Sequence, residues 1–237
     1  MSGWAAKRFW ETAEVTETAR GFGIALDGRP VRTPAKRLLE VPTRAFAECI
    51  ATEWDAQEKT IDPLSMPFTR TANAALDKVA IQQEAVVDML ADYGDSDLLC
   101  YRAEGPDALV WRQSEQWDPM LDWAAETFDA RLMPRTGVMH APQDPDALAR
   151  LRAQVRAMNA FELAAFHDLV SLSGSLILGL AATRDAAPVE TLWETSRLDE
   201  IWQTEQWGHD DEAARMAEVK RQAFLHAKRV FDLCRTG

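Results

Sequence analysis

The hydrophobic pattern of the chain changes period at Thr43. Before it, residues 8 to 41 read as β structure, because Phe9 to Thr16 is rich in threonine, valine and aromatics and the run Gly23-Ile24-Ala25-Leu26 meets Asp27-Gly28. That dipeptide suits the positive φ angles of a two-residue type I′ hairpin. Arg29 to Thr33 is therefore expected to return antiparallel until Pro34, which has no amide proton, stops the pairing. Lys36-Arg37 marks another turn, and Leu38 to Val41 a short further strand. From Thr43, an N-cap by residue type, Phe46, Cys49, Ile50, Trp54 and Gln57 share one face of a helix ending near Lys59.

The proline-bearing segment from Ile61 to Thr69 predicts an extended connector. It is the expected boundary between an N-terminal α+β domain, residues 1–62, and an all-α C-terminal domain, residues 63–237. The fold class is thus α+β, a small antiparallel β unit with one helix followed by a larger helical domain. In that domain Ala72, Leu76, Val79, Val86, Leu90 and Tyr93 keep helical spacing up to Gly94, and Asp95 to Arg102 forms a compact corner. Trp111, Trp117, Met120, Leu121, Ala124 and Phe128 trace another helix, and Arg131 to Pro145 a long loop. Asp144 then caps a helix with Pro145 at its first position. The most apolar segment, Phe161 to Ala182, is long enough for a membrane span, but Glu162, His167, Asp168 and three serines interrupt it. Its glycines, Gly174 and Gly179, point instead to close helix packing. A last helix carries Met216, Ala223, Phe224, Ala227, Val230 and Phe231.

One stretch conflicts with its own period. From Leu192 to Glu212 the chain holds three tryptophans among many carboxylates, and Leu198, Ile201, Trp202 and Glu205 follow i, i+3, i+4, i+7. A carboxylate on an apolar stripe needs a partner, because burying it unpaired costs several kcal/mol. Either the protein supplies a donor or the stripe meets another molecule.

Composition narrows the function. The 237 residues carry a formal charge of −12, with 47% hydrophobic and 27% charged residues, which is ordinary for a globular protein and wrong in sign for binding phosphate backbones. Nucleic acid is therefore excluded as an expected partner. Nine tryptophans stand against two tyrosines. Such an excess favours large anchoring side chains over hydroxyl chemistry. Three scattered cysteines, Cys49, Cys100 and Cys234, indicate neither a disulfide framework nor a metal knuckle, and the start lacks a secretory h-region.

Catalytic and cofactor signatures are missing as well. The four histidines form no zinc-ligand spacing, and the glycines before Asp27 are explained by the hairpin, with no GK[ST] after them. His167 reads as a satisfied core imidazole. The Gly174 to Leu176 GSL lies in a helical pattern without the sharp turn of a nucleophile elbow. No catalytic residue, cofactor or metal is expected.

Five blocks carry a family resemblance: KRFW at Lys7 to Trp10, LDGRPVRTP at Leu26 to Pro34, EWDAQ at Glu53 to Gln57, SDLLCYR at Ser96 to Arg102 and LDEIWQTEQWG at Leu198 to Gly208. In that order they resemble the assembly chaperones for the α subunit of the F-type ATP synthase. The resemblance implies a non-enzyme that binds the unassembled α subunit without ATP, prevents its aggregation and yields it to the β subunit. It places the important acid on Glu205 and an important tryptophan on Trp54, which serves either binding or folding. The expected client-binding set is Glu205, Trp202, Trp207, Asp199 and Trp54, in a monomer with no stable membrane insertion. A bacterial cytoplasmic member is expected from the absence of a presequence, the mitochondrial matrix being the place of a presequence-cleaved one. The alternative is a small-molecule enzyme with Glu205 or Asp199 as acid or base in a tryptophan-lined cleft.

Overall fold

The computed structural model describes residues 7–235. Its order is β1 (Ala13–Thr18), β2 (Gly21–Leu26), β3 (Arg29–Pro30), β4 (Glu40–Val41), α1 (Arg44–Asp55), α2 (Pro67–Asp77), α3 (Gln83–Ala91), β5 (Tyr101–Arg102), α4 (Asp107–Phe128), β6 (Arg135–Thr136), α5 (Pro145–Arg156), α6 (Ala160–Ser173), α7 (Leu176–Thr183), α8 (Val189–Ser196), α9 (Leu198–Trp207) and α10 (Asp211–Leu233). This is the expected α+β class. The chain divides into two compact units. One comprises Met1–Gln83, Asn159–Ala165 and Arg229–Gly237, the other Glu84–Met158 and Phe166–Lys228.

In the first unit β2 is central, pairing antiparallel with β1, β3 and β4. Asp27 and Gly28 take the positive φ values of 48° and 76° that the hairpin between β2 and β3 requires. The first strand begins at Ala13, not Phe9, because the preceding residues are held by side chains instead of a ladder. Arg8 donates to the backbone oxygens of Trp10, Glu11, Asp55 and Gln57. Thr43 caps α1, its hydroxyl accepting from the Phe46 amide at 3.2 Å and donating to the Leu233 carbonyl at 2.6 Å.

The proline segment is not an extended connector. Residues 63 to 65 form a 3-10 turn, and Pro67 opens α2, where its missing amide proton costs nothing. The first unit accordingly runs past the expected boundary at residue 62 to Gln83. Two carboxylates explain why. Glu53 on α1 accepts from the amides of Phe68 and Thr69 at 2.6 and 2.8 Å, capping α2, and Asp77 at its far end accepts from the Thr33 hydroxyl and the Ala35 amide at 2.7 and 2.9 Å. Desolvation pushes the Glu53 pKa up, against the lowering effect of those donors. The returning segments join the same core through Phe161 against Phe46 and Arg235 on Glu162.

The second unit is helical except for the two-residue parallel pairing of β5 with β6. Every residue of α7 is buried, and α4 packs against it. A Cβ on Gly179 would meet Val170 at 2.7 Å, so glycine is what lets α6 and α7 approach. The apolar run expected as one helical pattern is broken at Gly174, whose φ is 72°, and Ser175 caps α7 by accepting from the Leu178 amide at 3.0 Å. That serine is fully buried, its hydroxyl engaged by the cap and by Asp97. The pattern from Ala72 to Tyr93 is likewise divided, by the Lys78 break and a 3-10 turn over residues 79–81. Asp97 fastens the SDLLCYR corner, its oxygens accepting from the Leu99 and Ile177 amides, both at 3.0 Å. Among the described residues no helix is long and apolar enough to cross a membrane.

Candidate functional site

The conflicted stripe becomes α9, a ten-residue helix stopped by Gly208 at a φ of 95°. Its apolar side is graded: Leu198 is sealed in the core, Ile201 and Trp202 are half-buried, and Glu205 is exposed. The donor that Glu205 demanded is Arg112 on α4. Its two terminal nitrogens reach the two carboxylate oxygens at 2.6 and 3.1 Å, a fork-on-fork pair separated by 93 residues of sequence. The guanidinium holds the Glu205 pKa below the usual glutamate value, and the carboxylate raises that of Arg112. Glu205 is therefore an anion at neutral pH and unsuited to acting as an acid.

Its neighbour on α4, Gln113, is buried and serves α9 too. Its amide nitrogen donates to Asp199 at 2.7 Å while its oxygen accepts from the Ala103 amide at 2.9 Å. One turn on, the Trp117 indole donates to the Thr195 carbonyl at 2.9 Å. Gln113 and Trp117 thus anchor α9 and α8, while Arg112 closes on Glu205 at the exposed end of α9. Burial raises the Asp199 pKa, with the Gln113 bond working against it, so the two carboxylates of one helix are displaced in opposite directions.

Two clefts flank α9. The larger, about 720 Å³, lies between α8, α9 and the start of α10 and is lined by Trp193, Ile201, Glu205, Trp207, Ala214 and Met216 among others. The smaller, about 350 Å³, is lined by Pro106, Leu109, Asp199, Trp202, Gln206 and Trp207. Trp207 belongs to both and is 79% exposed. Met216 and Val219 on α10 are also more than half exposed, at 55% and 63%. Large apolar side chains standing in water beside a cleft make this surface the candidate binding site. Among the described residues no cluster of histidine, cysteine and carboxylates is arranged to hold a metal.

Four of the five expected site residues, Asp199, Trp202, Glu205 and Trp207, come together on α9. Trp54 lines neither cleft. It belongs to the first unit, packed edge-on against buried Trp10 with ring centres 5.3 Å apart. Arg8 and Trp10 of the KRFW block therefore meet Trp54, Asp55 and Gln57 of the EWDAQ block, so two of the sequence blocks are two sides of one structural joint. His167 is not a core imidazole. It is 46% exposed, and a 2.9 Å contact with Asp168 raises its pKa. Arg112 is the site residue that sequence reasoning missed, since an arginine on an amphipathic helix carries no local mark of its distant partner.

The chain is similar to known proteins over nearly its whole length. A family model described as the ATP12 chaperone protein matches residues 7–125. The crystal structure of Atp12 from Paracoccus denitrificans is 48% identical with a TM-score of 0.94, covering 97% of this chain and 99% of that one. A mutant of the same bacterial protein gives 47% identity and the same TM-score of 0.94, covering 97% of this chain and 98% of that one. The mitochondrial protein atp12 of Schizosaccharomyces pombe is 26% identical over 244 residues, covering 96% of this chain and 82% of its own length. The matched model ends before α9, so the whole-chain likenesses are what extend over the site. An α+β protein with an aromatic, acid-rimmed surface and these likenesses falls in the class of assembly chaperones. The chain belongs to the ATP12 chaperone family.

Proposed function

We propose that this protein binds the unassembled α subunit of an F-type ATP synthase, without ATP and as a monomer, keeps it from aggregating, and yields it to the β subunit. The observation that carries this reading is α9, which holds Trp207 in water above a cleft ringed by carboxylates. An isolated ring subunit presents the apolar face meant for its neighbour, and a chaperone covering that face suppresses aggregation by mass action. Release then needs no nucleotide, because the β subunit offers a larger complementary interface. Glu205, Asp199, Trp202 and Trp207 would meet the client, with Glu205 selecting for a cationic partner. Its place of action would be the compartment where the α subunit folds, the bacterial cytoplasm or the mitochondrial matrix.

The test is light scattering from purified α subunit diluted out of denaturant, with and without the chaperone, followed by pull-down against α and β separately. Scattering should fall in proportion to added chaperone, and α alone should be retained. The variant Trp207→Asp, which changes an exposed side chain, should keep the native melting temperature and lose protection. If folded wild-type protein leaves the scattering unchanged, the reading is wrong.

A further inference from the structure

Arg112 occupies Glu205 from the α4 side, while the larger cleft opens on the other walls of the same carboxylate. The small side chains of Ala213, Ala214 and Ala217 on α10 leave that cleft open, and its apolar walls are Ile201, Trp193 and Trp207. The rim is acidic: Glu194, Glu200, Glu205 and Asp210 stand against Arg197, Lys220 and the imidazole of His209. Arg197 is already paired with Glu200, and Asp210 keeps its charge while capping α10 through the Glu212 and Ala213 amides. Water reaches the Arg112 to Glu205 pair, whose side chains are 26% and 47% exposed. An ion pair so placed contributes little net stability, so one guanidinium can replace another at small cost.

We propose that the cleft between α9 and α10 seats a short amphipathic segment of the client, bearing arginine or lysine, whose cation takes the place of Arg112 on Glu205. Apolar contact with Trp207, Met216 and Ile201 supplies the affinity, and the exchange supplies selectivity. A neutral segment leaves Arg112 where it is, and an acidic one is repelled by the rim. The inference rests on the reading that α9 faces a client.

The probe is a labelled amphipathic peptide with leucines along one helical face and arginines on its flank, beside a counterpart carrying citrulline for arginine. Both are titrated by fluorescence anisotropy against the full chain. The arginine peptide should bind more tightly than the citrulline one, and unlabelled α subunit should displace it. Ala217→Trp, which fills the cleft, should weaken both peptides at least tenfold. Arg112→Gln should tighten the arginine peptide about two- to five-fold, the worth of one exposed ion pair, and leave the citrulline peptide unchanged. Glu205→Gln should abolish the preference between them. Variants are compared only at the wild-type melting temperature, Ala213→Trp replacing Ala217→Trp if that one falls short. The inference is overturned if neither peptide binds, if filling the cleft changes nothing, if Arg112→Gln affects both peptides alike, or if α subunit fails to compete. A chaperone that protects α subunit yet ignores the peptides loses this inference alone, and one that seats the peptides without protecting α subunit loses the proposed function instead.

Discussion

At the scale of single residues, the buried carboxylates have more determinate roles than the exposed ones. Asp97 is fully buried, and desolvation lifts its pKa from the ordinary 3.8 to about 6 despite the Ile177 and Leu99 amides that favour its charge. A raised folded-state value means that the stabilising contribution of the protonated form is complete below pH 3.8 and is lost as pH rises through about 6. Between those limits Asp97 alone makes the protein more stable towards acid, and Asp97→Asn should remove that slope from urea midpoints measured across the range. At pH 7 the asparagine removes the cost of a buried charge but sets an NH2 among donors that now converge on the carboxylate, so the loss of the slope is what the substitution reads. Trp54 is argued the same way from its surroundings. Its ring is packed on Trp10, so Trp54→Ala should destabilise the protein by about 3 kcal/mol in chemical denaturation. Client affinity of the fraction that remains folded should be unchanged, and a selective loss of affinity would return Trp54 to the binding surface.

At the scale of elements, α2 depends on a side chain from α1. Three donors, the amides of Phe68 and Thr69 and the Thr69 hydroxyl, converge on Glu53 within 2.8 Å. Glu53→Gln keeps the shape and turns an NH2 towards one of those amides, so α2 should lose amide-exchange protection ahead of α1, with a total cost of about 1–3 kcal/mol. Uniform loss of protection across both helices would show that the cap is not what holds α2. The periodicity of α1, α4, α5 and α10 was legible in the chain, as were the Thr43 and Asp144 caps and the Asp27-Gly28 turn. The breaks at Lys78 and Gly174 were not. Apolar spacing continues through both, and what interrupts the helix is a backbone angle that side-chain pattern does not record.

At the scale of the whole molecule, the formal charge of −12 acts on encounter more than on fold. Association with a client that offers a basic face should slow about tenfold or more as salt rises from roughly 50 mM to 500 mM, with dissociation changing far less. Stopped-flow measurement separates the two, and an association rate indifferent to salt would remove charge steering from the mechanism. The same charge works the other way in acid. The lowered pKa values of Glu84, Glu205 and Glu218, the last down to about 2, mean that their pairs add stability above the usual carboxylate value and lose it as pH falls through the lowered one. Asp97 acts between pH 3.8 and about 6 and these pairs act below the ordinary glutamate value of 4.5, so acidification first adds stability through Asp97 and then removes it through the pairs.

The sequence alone determined what is local: two periods, the hairpin, the helix caps, the misfit of Glu205 on its stripe, and the family through blocks that survive as strings of residues. Tertiary structure decided what depends on residues far apart. It named Arg112 as the donor for Glu205, joined KRFW to EWDAQ, carried the first unit to Gln83 and opened a cleft on either side of α9. The reason is physical. Backbone hydrogen bonds and side-chain periodicity are settled within a few residues, whereas an ion pair or a cleft between helices exists only once the packing of buried side chains has set where each helix lies.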